Sequence, residues 1–424
     1  MTARITMHPE TMHPELSTLF AGFDQAGLRW CVLRLPSEEG NSGGDVDLLV
    51  DRVDLHVMRG VLESRRFAQL PGWSGGEHYL SYHRPTDRWL WIHVVVELSF
   101  GPRYSLGTQS EAGCLDRRVW EHGWPELAPA DAFWVLLFHR LADKRAIATR
   151  HRGRLAELAN SPVDDSPLAR VADMICPDGW GARRLVECAR AGNWASLERM
   201  APDLVAAWMR HDRIGPRRML ALRAGELLKG LVTLPRRRGL GVALIGPDGA
   251  GKTTLIAGIE RSFGLPVRSV YMGLTGGLLP RVDRLTLPVL VVPGRLAVFW
   301  ARYLVAKYHQ ARGRLVVFDR YVYDANVPTP YPLSWLGRTY RRVDGHACPP
   351  PDLVLVLSAP GTVMHERKGE YTPEMLEDWR QSFLALQRTV SRLEVVDTTR
   401  SRDEVRADVV ERIWSRYVER WCKG

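Results

Sequence analysis

The sequence predicts an α/β protein whose C-terminal half is a five-stranded parallel sheet with helices on both faces, preceded by a small α/β region and a helical region. Three observations carry this. From Gly241 onward, short apolar runs alternate with segments of helical period; a glycine-rich loop separates the first run from the first helix; and 424 residues exceed one ordinary core of about 100–200. The runs are 242–245, 267–272, 315–318, 353–357 and 394–396. Strands joined by crossover-length segments pair in parallel, and ligands then bind at their carboxyl ends.

Upstream, Leu16, Leu19, Phe20 and Phe23 follow helical spacing as far as Gly27. Strand-type runs follow at 30–33, 46–50 and 89–98, so 15–125 reads as a small α/β domain. Pro129, at a helix start, opens a series Phe133, Trp134, Leu136, Leu137 and Leu141, and a helical domain extends over 126–234. The basic segment 235–240 reads as a solvated linker to the domain 241–424. Residues 1–14 repeat Thr-Met-His-Pro-Glu without a basic start leading into an apolar stretch, and are expected to form a mobile tail in which His8 and His13 hold no metal.

Lysine and arginine number 58 against 48 acidic residues, a net +10 that favours anionic partners. Six scattered cysteines contain no Cys-x-x-Cys pair, which suggests neither a zinc site nor a disulfide framework and fits a reducing cytoplasm. The most apolar window, 285–308, is interrupted by Pro288, Pro293, Gly294, Arg295 and Arg302, and is expected as a buried helix rather than a membrane span. No stretch interleaves aromatic and basic residues as single-strand binders do, which argues against nucleic acid as a partner. Oligomerisation is left open.

Gly246, Pro247, Asp248, Gly249, Ala250, Gly251, Lys252 and Thr253 fit the pattern G-x-x-x-x-G-K-[ST], after a strand and before a helix that begins near Thr254. The glycines let the backbone wrap an anion, and the amides and helix N-terminus supply positive potential. This is a P-loop NTPase pattern: ATP is the expected ligand, with Lys252 on the β and γ oxygens and Thr253 on Mg²⁺. The third strand runs into Asp319, Arg320 and Tyr321, placing a second candidate for Mg²⁺, Asp319, and a forked phosphate contact, Arg320, at its carboxyl end.

With these motifs, and with 351–357 followed by 365–370, residues 240–424 resemble the thymidylate kinase branch of nucleoside monophosphate kinases. The resemblance implies an ATP- and Mg²⁺-dependent phosphotransferase in which Asp248 lies near the acceptor sugar and Asp319, Arg320 and Tyr321 line the phosphate and acceptor sites. It also implies that Arg302 faces the acceptor's phosphate, that Arg367 and Lys368 sit on a lid, and that 397–400 lies near adenine. Ile245 stands where that family usually has Glu, and 271–277 replaces its Arg-Glu-Pro-Gly-Gly stretch. The acceptor is therefore expected to be a small molecule other than thymidylate: a nucleotide, a nucleoside, or another phosphorylated or hydroxylated metabolite. An ATPase that moves its partner domain is the alternative.

Asp45 and Asp47 alternate onto one strand face after Gly43-Gly44. This stretch resembles the metal-binding strand of the nucleotidyltransferase superfamily, which implies Mg²⁺ held by the pair, with Glu97 as the candidate third carboxylate. A second reading thus makes the chain a nucleotidyltransferase with a regulatory P-loop domain. A third makes it an ATP-gated binding module.

Overall fold

The computed structural model describes residues 13–35, 45–70, 75–233, 239–274, 279, 288–329 and 332–422. The repeats before residue 13, the Gly43-Gly44 turn, most of the basic linker, and Thr275, Gly276 and Gly277 lie outside them. The chain divides into two compact units, Met1–His83 with Arg88–Leu231, and Arg84–Asp87 with Val232–Gly424.

The first unit begins with helix α1 (Pro14–Gln25), strands β1 (Trp30–Arg34) and β2 (Asp45–Val50), helix α2 (Leu55–Ser64), and strands β3 (Ala68–Leu70), β4 (Glu77–His83) and β5 (Arg88–Val95). A small hairpin, β6 (Ser99–Phe100) with β7 (Leu106–Gly107), precedes α3 (Glu111–Asp116), β8 (Val119–Glu121) and β9 (Trp124–Glu126). The seven-stranded mixed sheet has the order β3-β4-β5-β2-β1-β9-β8.

Alternation along the strands serves two cores. Trp30, Val32, Val46, Leu48 and Val50 pack with Leu16, Leu19, Phe20 and Phe23 of α1 and with Met58 and Leu62 of α2. Cys31 and Leu49, paired in register, face the other way. There they meet the helices α4 (Pro129–Phe138), α5 (Thr149–Ala159), α6 (Pro167–Ile175), α7 (Ala182–Arg190) and α8 (Trp194–His211), through Phe133, Trp134, Phe138, Leu155, Leu185 and Trp208. The sheet and the helical segment therefore share a core within one unit. α9 (Pro216–Thr233) closes this part of the chain.

The second unit is the expected five-stranded parallel sheet: β10 (Gly241–Ile245), β11 (Val267–Tyr271), β12 (Leu315–Asp319), β13 (Leu353–Ser358) and β14 (Leu393–Asp397), in the order β11-β12-β10-β13-β14. All four pairings are parallel. Its helices are α10 (Lys252–Ser262), α11 (Pro288–Ala311), α12 (Trp335–Asp344), α13 (Gly361–Lys368), α14 (Pro373–Ala385) and α15 (Arg402–Cys422). Every residue of β10 and β13 is buried, as continuous apolar runs in a sheet covered on both faces require. The chain leaves β10 for one side of the sheet and later crosses to the other, which puts the topological switch at the carboxyl end of β10.

The apolar window proves a helix only partly buried. Phe299 is enclosed, but Trp300, Leu304, Val305 and Tyr308 are exposed, correcting the expectation of a wholly buried helix. Among the described residues no helix is long and apolar enough to cross a membrane.

Candidate active site

The loop between β10 and α10 owes its shape to its glycines. Gly246, Gly249 and Gly251 have φ of +144°, +83° and +93°, a region L side chains rarely adopt. Crowding reinforces this: a Cβ on Gly246 would lie 2.6 Å from the Leu357 carbonyl oxygen, and one on Gly249 2.4 Å from that of Met364. The loop is thus pressed against β13 and α13.

Lys252, on the first turn of α10, is 7% exposed, and its ammonium donates to the carbonyls of Gly246 and Pro247 at 2.7 Å each. Burial, with the nearby Arg320 guanidinium, lowers its pKa to about 8 against the opposing pull of Asp248, Asp324 and Asp319. Thr253 and Thr254 are exposed at the helix start, and Ala250 is buried.

Parallel register sets Leu244, Asp319 and Tyr271 side by side at the strand ends. Asp319 thus stands beside the end of the central strand. Arg320 follows with a left-handed φ of +65°, a strained state for a residue with a Cβ. Its guanidinium donates to Asp248 Oδ1 at 2.6 Å and to Asp324 Oδ2 at 3.3 Å. Asp248 also has the ammonium groups of Lys368 at 3.6 Å and Lys252 at 3.9 Å. Burial alone would raise the pKa of Asp248, but Arg320, Lys252 and Lys368 together hold it below the usual carboxylate value. One carboxylate in the phosphate loop therefore gathers three cations.

Arg302, half-buried on α11, donates to the Gly273 carbonyl at 3.1 Å and lies over the Tyr271 ring, 5.4 Å from its centroid. Gly273 borders both Tyr271 and Arg320, since a Cβ there would meet the hydroxyl of the first and the Cδ of the second. Arg302, Tyr271, Arg320 and Asp248 thus form one continuous row. Beside it, buried Arg295 pairs with Asp344 at 2.6 Å and fixes α11 to α12.

Two expected residues point elsewhere. Tyr321 is fully buried and its hydroxyl donates to the Pro349 carbonyl, so it serves packing under the site. Arg367 donates to the Thr398 carbonyl at 2.8 Å, tying α13 to the loop after β14, while its neighbour Lys368 reaches Asp248. Sequence reasoning missed Asp324. Its carboxyl is buried, Arg320 bonds one oxygen, and the other has no partner; burial raises its pKa despite Arg320 and Lys252.

In the first unit, Asp45 and Asp47 do lie on β2, but Asp47 is bonded to Arg34 at 2.8 Å and to His93 at 3.0 Å. β5 ends at Val95, two residues before Glu97, whose exposed carboxylate pairs with Arg52. Among the described residues the group of three side chains within ligand distance of one another is Glu121, His122 and Glu126, which includes none of the expected carboxylates. The pair thus has no third carboxylate beside it there.

The parallel sheet, the loop after its central strand and the buried lysine define a P-loop NTPase fold. No family model matches the chain, and no curated protein matches it. Among solved structures it is similar to thymidylate kinase from Candida albicans, at 17% identity over 43% of this chain and 93% of that one, with a TM-score of 0.35.

Proposed function

We propose that the second unit is an ATP- and Mg²⁺-dependent phosphotransferase acting on a nucleotide, nucleoside or other small metabolite. The observation that carries this reading is the convergence of Lys252, Arg320 and Lys368 on Asp248 at the carboxyl end of the central strand. Three cations around one carboxylate mark where negative charge is stabilised, and the phosphoryl oxygens of ATP take up the same cations when bound.

A loop whose Gly246, Gly249 and Gly251 all hold positive φ turns its backbone in the way that wraps an anion, which fits the ATP phosphates. An exposed hydroxyl at Thr253 and a carboxylate at Asp319 are hard oxygen donors suited to Mg²⁺, which when bound neutralises charge on the β and γ oxygens. Lys252 exchanges the Gly246 and Pro247 carbonyls for phosphate oxygens. Arg320 and Lys368 then hold the transferring group, and Asp248, released from them, orients the acceptor. The row through Tyr271 to Arg302 supplies an aromatic face and a guanidinium for that acceptor. Catalysis comes from positioning and charge neutralisation.

The test is ADP formation with Mg²⁺ and a panel of nucleosides, nucleoside monophosphates and hydroxylated or phosphorylated metabolites. Turnover that depends on one acceptor and disappears in Lys252→Ala supports the proposal. Acceptor-independent hydrolysis moves it to an ATPase, and pyrophosphate release that survives the substitution moves it to a nucleotidyltransferase.

A further inference from the structure

The carboxylate of Asp324 has no task in the reading above. It lies on a 3-10 turn, Val322–Asn326, that follows β12 and Arg320. Arg341, on α12, holds this turn by its backbone: its guanidinium donates to the carbonyls of Asp324 at 2.6 Å, of Ala325 at 3.0 Å and of Val327. The turn is therefore fixed without help from its acidic side chain. Of that side chain's two oxygens, Oδ2 accepts from Arg320 at 3.3 Å, and Oδ1 is enclosed without a hydrogen-bond partner among the described residues.

Arg320 joins this carboxylate to the phosphate loop, because its other terminal nitrogen donates to Asp248 at 2.6 Å. The two carboxylates thus stand one guanidinium apart beside the carboxyl end of β12, the end of the sheet at which ligands bind. A buried carboxylate with an unbonded oxygen is destabilising, and active sites are where such groups are kept for chemistry. Burial raises the pKa of Asp324 against the pull of Arg320 and Lys252, so it holds a proton more tightly than an ordinary aspartate.

The chemistry of the acceptor decides whether such a group helps. A phosphate acceptor, with a second pKa of about 6, is already ionised at neutral pH and needs no base. Two carboxylates beside it would also repel it once Arg320 and Lys368 had turned to the transferring group. A hydroxyl must lose a proton as it attacks, and it carries no charge for them to repel. Resting on the phosphotransferase reading, we propose that the acceptor presents an uncharged hydroxyl and that Asp324 takes its proton. Arg320, in leaving both carboxylates for the transferring group, frees Asp324 for this step. The hydroxyl oxygen bonds to the γ-phosphorus, the bond from that phosphorus to the bridging oxygen breaks with its electron pair leaving on ADP, and the proton passes to the carboxylate.

The test measures ADP formation by the full chain with Mg²⁺ and ATP on thymidine, uridine, adenosine and glucose, each beside its own phosphate monoester. Stimulation by an unphosphorylated member over its monoester is expected. Preference for the monoester would overturn this inference and leave the phosphotransferase standing, whereas ADP formation that no acceptor stimulates, or none at all, would overturn both. That comparison needs no variant. Asp324→Asn should then lower kcat for the hydroxyl acceptor about a hundredfold or more, with the dissociation constant of ATP unchanged, and Asp324→Glu, which keeps a carboxylate, should recover part of the loss. Weakened ATP binding with kcat retained would make Asp324 only a tether of Arg320 and overturn its role as the base.

Discussion

At the scale of single residues, Lys252 ties chemistry to pH in two opposite directions. Its pKa is about 8 in the folded protein against 10.5 for an ordinary lysine, so between those values the unfolded chain holds the extra proton. Stability of the second unit should therefore rise with pH across that window. Nucleotide binding should move the other way, because Lys252 loses the charge that meets the phosphates. The expected profile is a kcat/KM that falls above about pH 8 while the melting temperature of the unit climbs, with Lys252→Met abolishing the climb. A melting temperature insensitive to pH in both proteins would refute it. Asp324 makes a related case, since burial raises its pKa and one carboxyl oxygen has no partner. Because burial outweighs Arg320 in that shift, Asp324→Asn removes a charge that the fold disfavours and should stabilise the unit at neutral pH. It also weakens one of the two tethers of the strained Arg320, so kcat/KM should fall as stability rises, measured by denaturant titration and steady-state kinetics.

At the scale of elements, the phosphate loop and α13 constrain each other. A Cβ on Gly249 meets the Met364 carbonyl oxygen, and its φ of +83° is strained for alanine. Gly249→Ala should destabilise the unit by about 2 kcal/mol and displace α13, so that it weakens ATP binding more than Lys368→Ala does; the reverse order in a binding titration would separate loop from helix. The loop and all five parallel strands were legible in the sequence, because strands buried on both faces are unbroken apolar runs and the loop pattern is local. β4 was not, since Glu77, His78, Ser81 and His83 dilute its alternation. The π-helical turn that follows α4, His139–Lys144, was not either: its residues have ordinary helical period, and one inserted residue leaves no mark on it. Asp324 was hidden for another reason, as it lies on a short 3-10 turn after β12, Val322–Asn326, and a carboxylate in such a turn carries no pattern that marks it as buried. Glu97 was misplaced by a strand expected to run on to Leu98 when the pairing ends at Val95.

At the scale of the whole molecule, two compact units, the second built on its own parallel sheet with wholly buried central strands, should not unfold as one. Guanidinium unfolding followed by tryptophan fluorescence should show two transitions. A ligand that binds only the native form of one unit stabilises that unit by RT ln(1 + [L]/Kd), about 2.7 kcal/mol at a hundredfold excess over Kd. ATP with Mg²⁺ should therefore shift the transition of the second unit, and Lys252→Ala should cancel that shift. A single transition displaced as a whole by ATP would mean that the two cores unfold cooperatively, and the P-loop would then report on the stability of the entire chain.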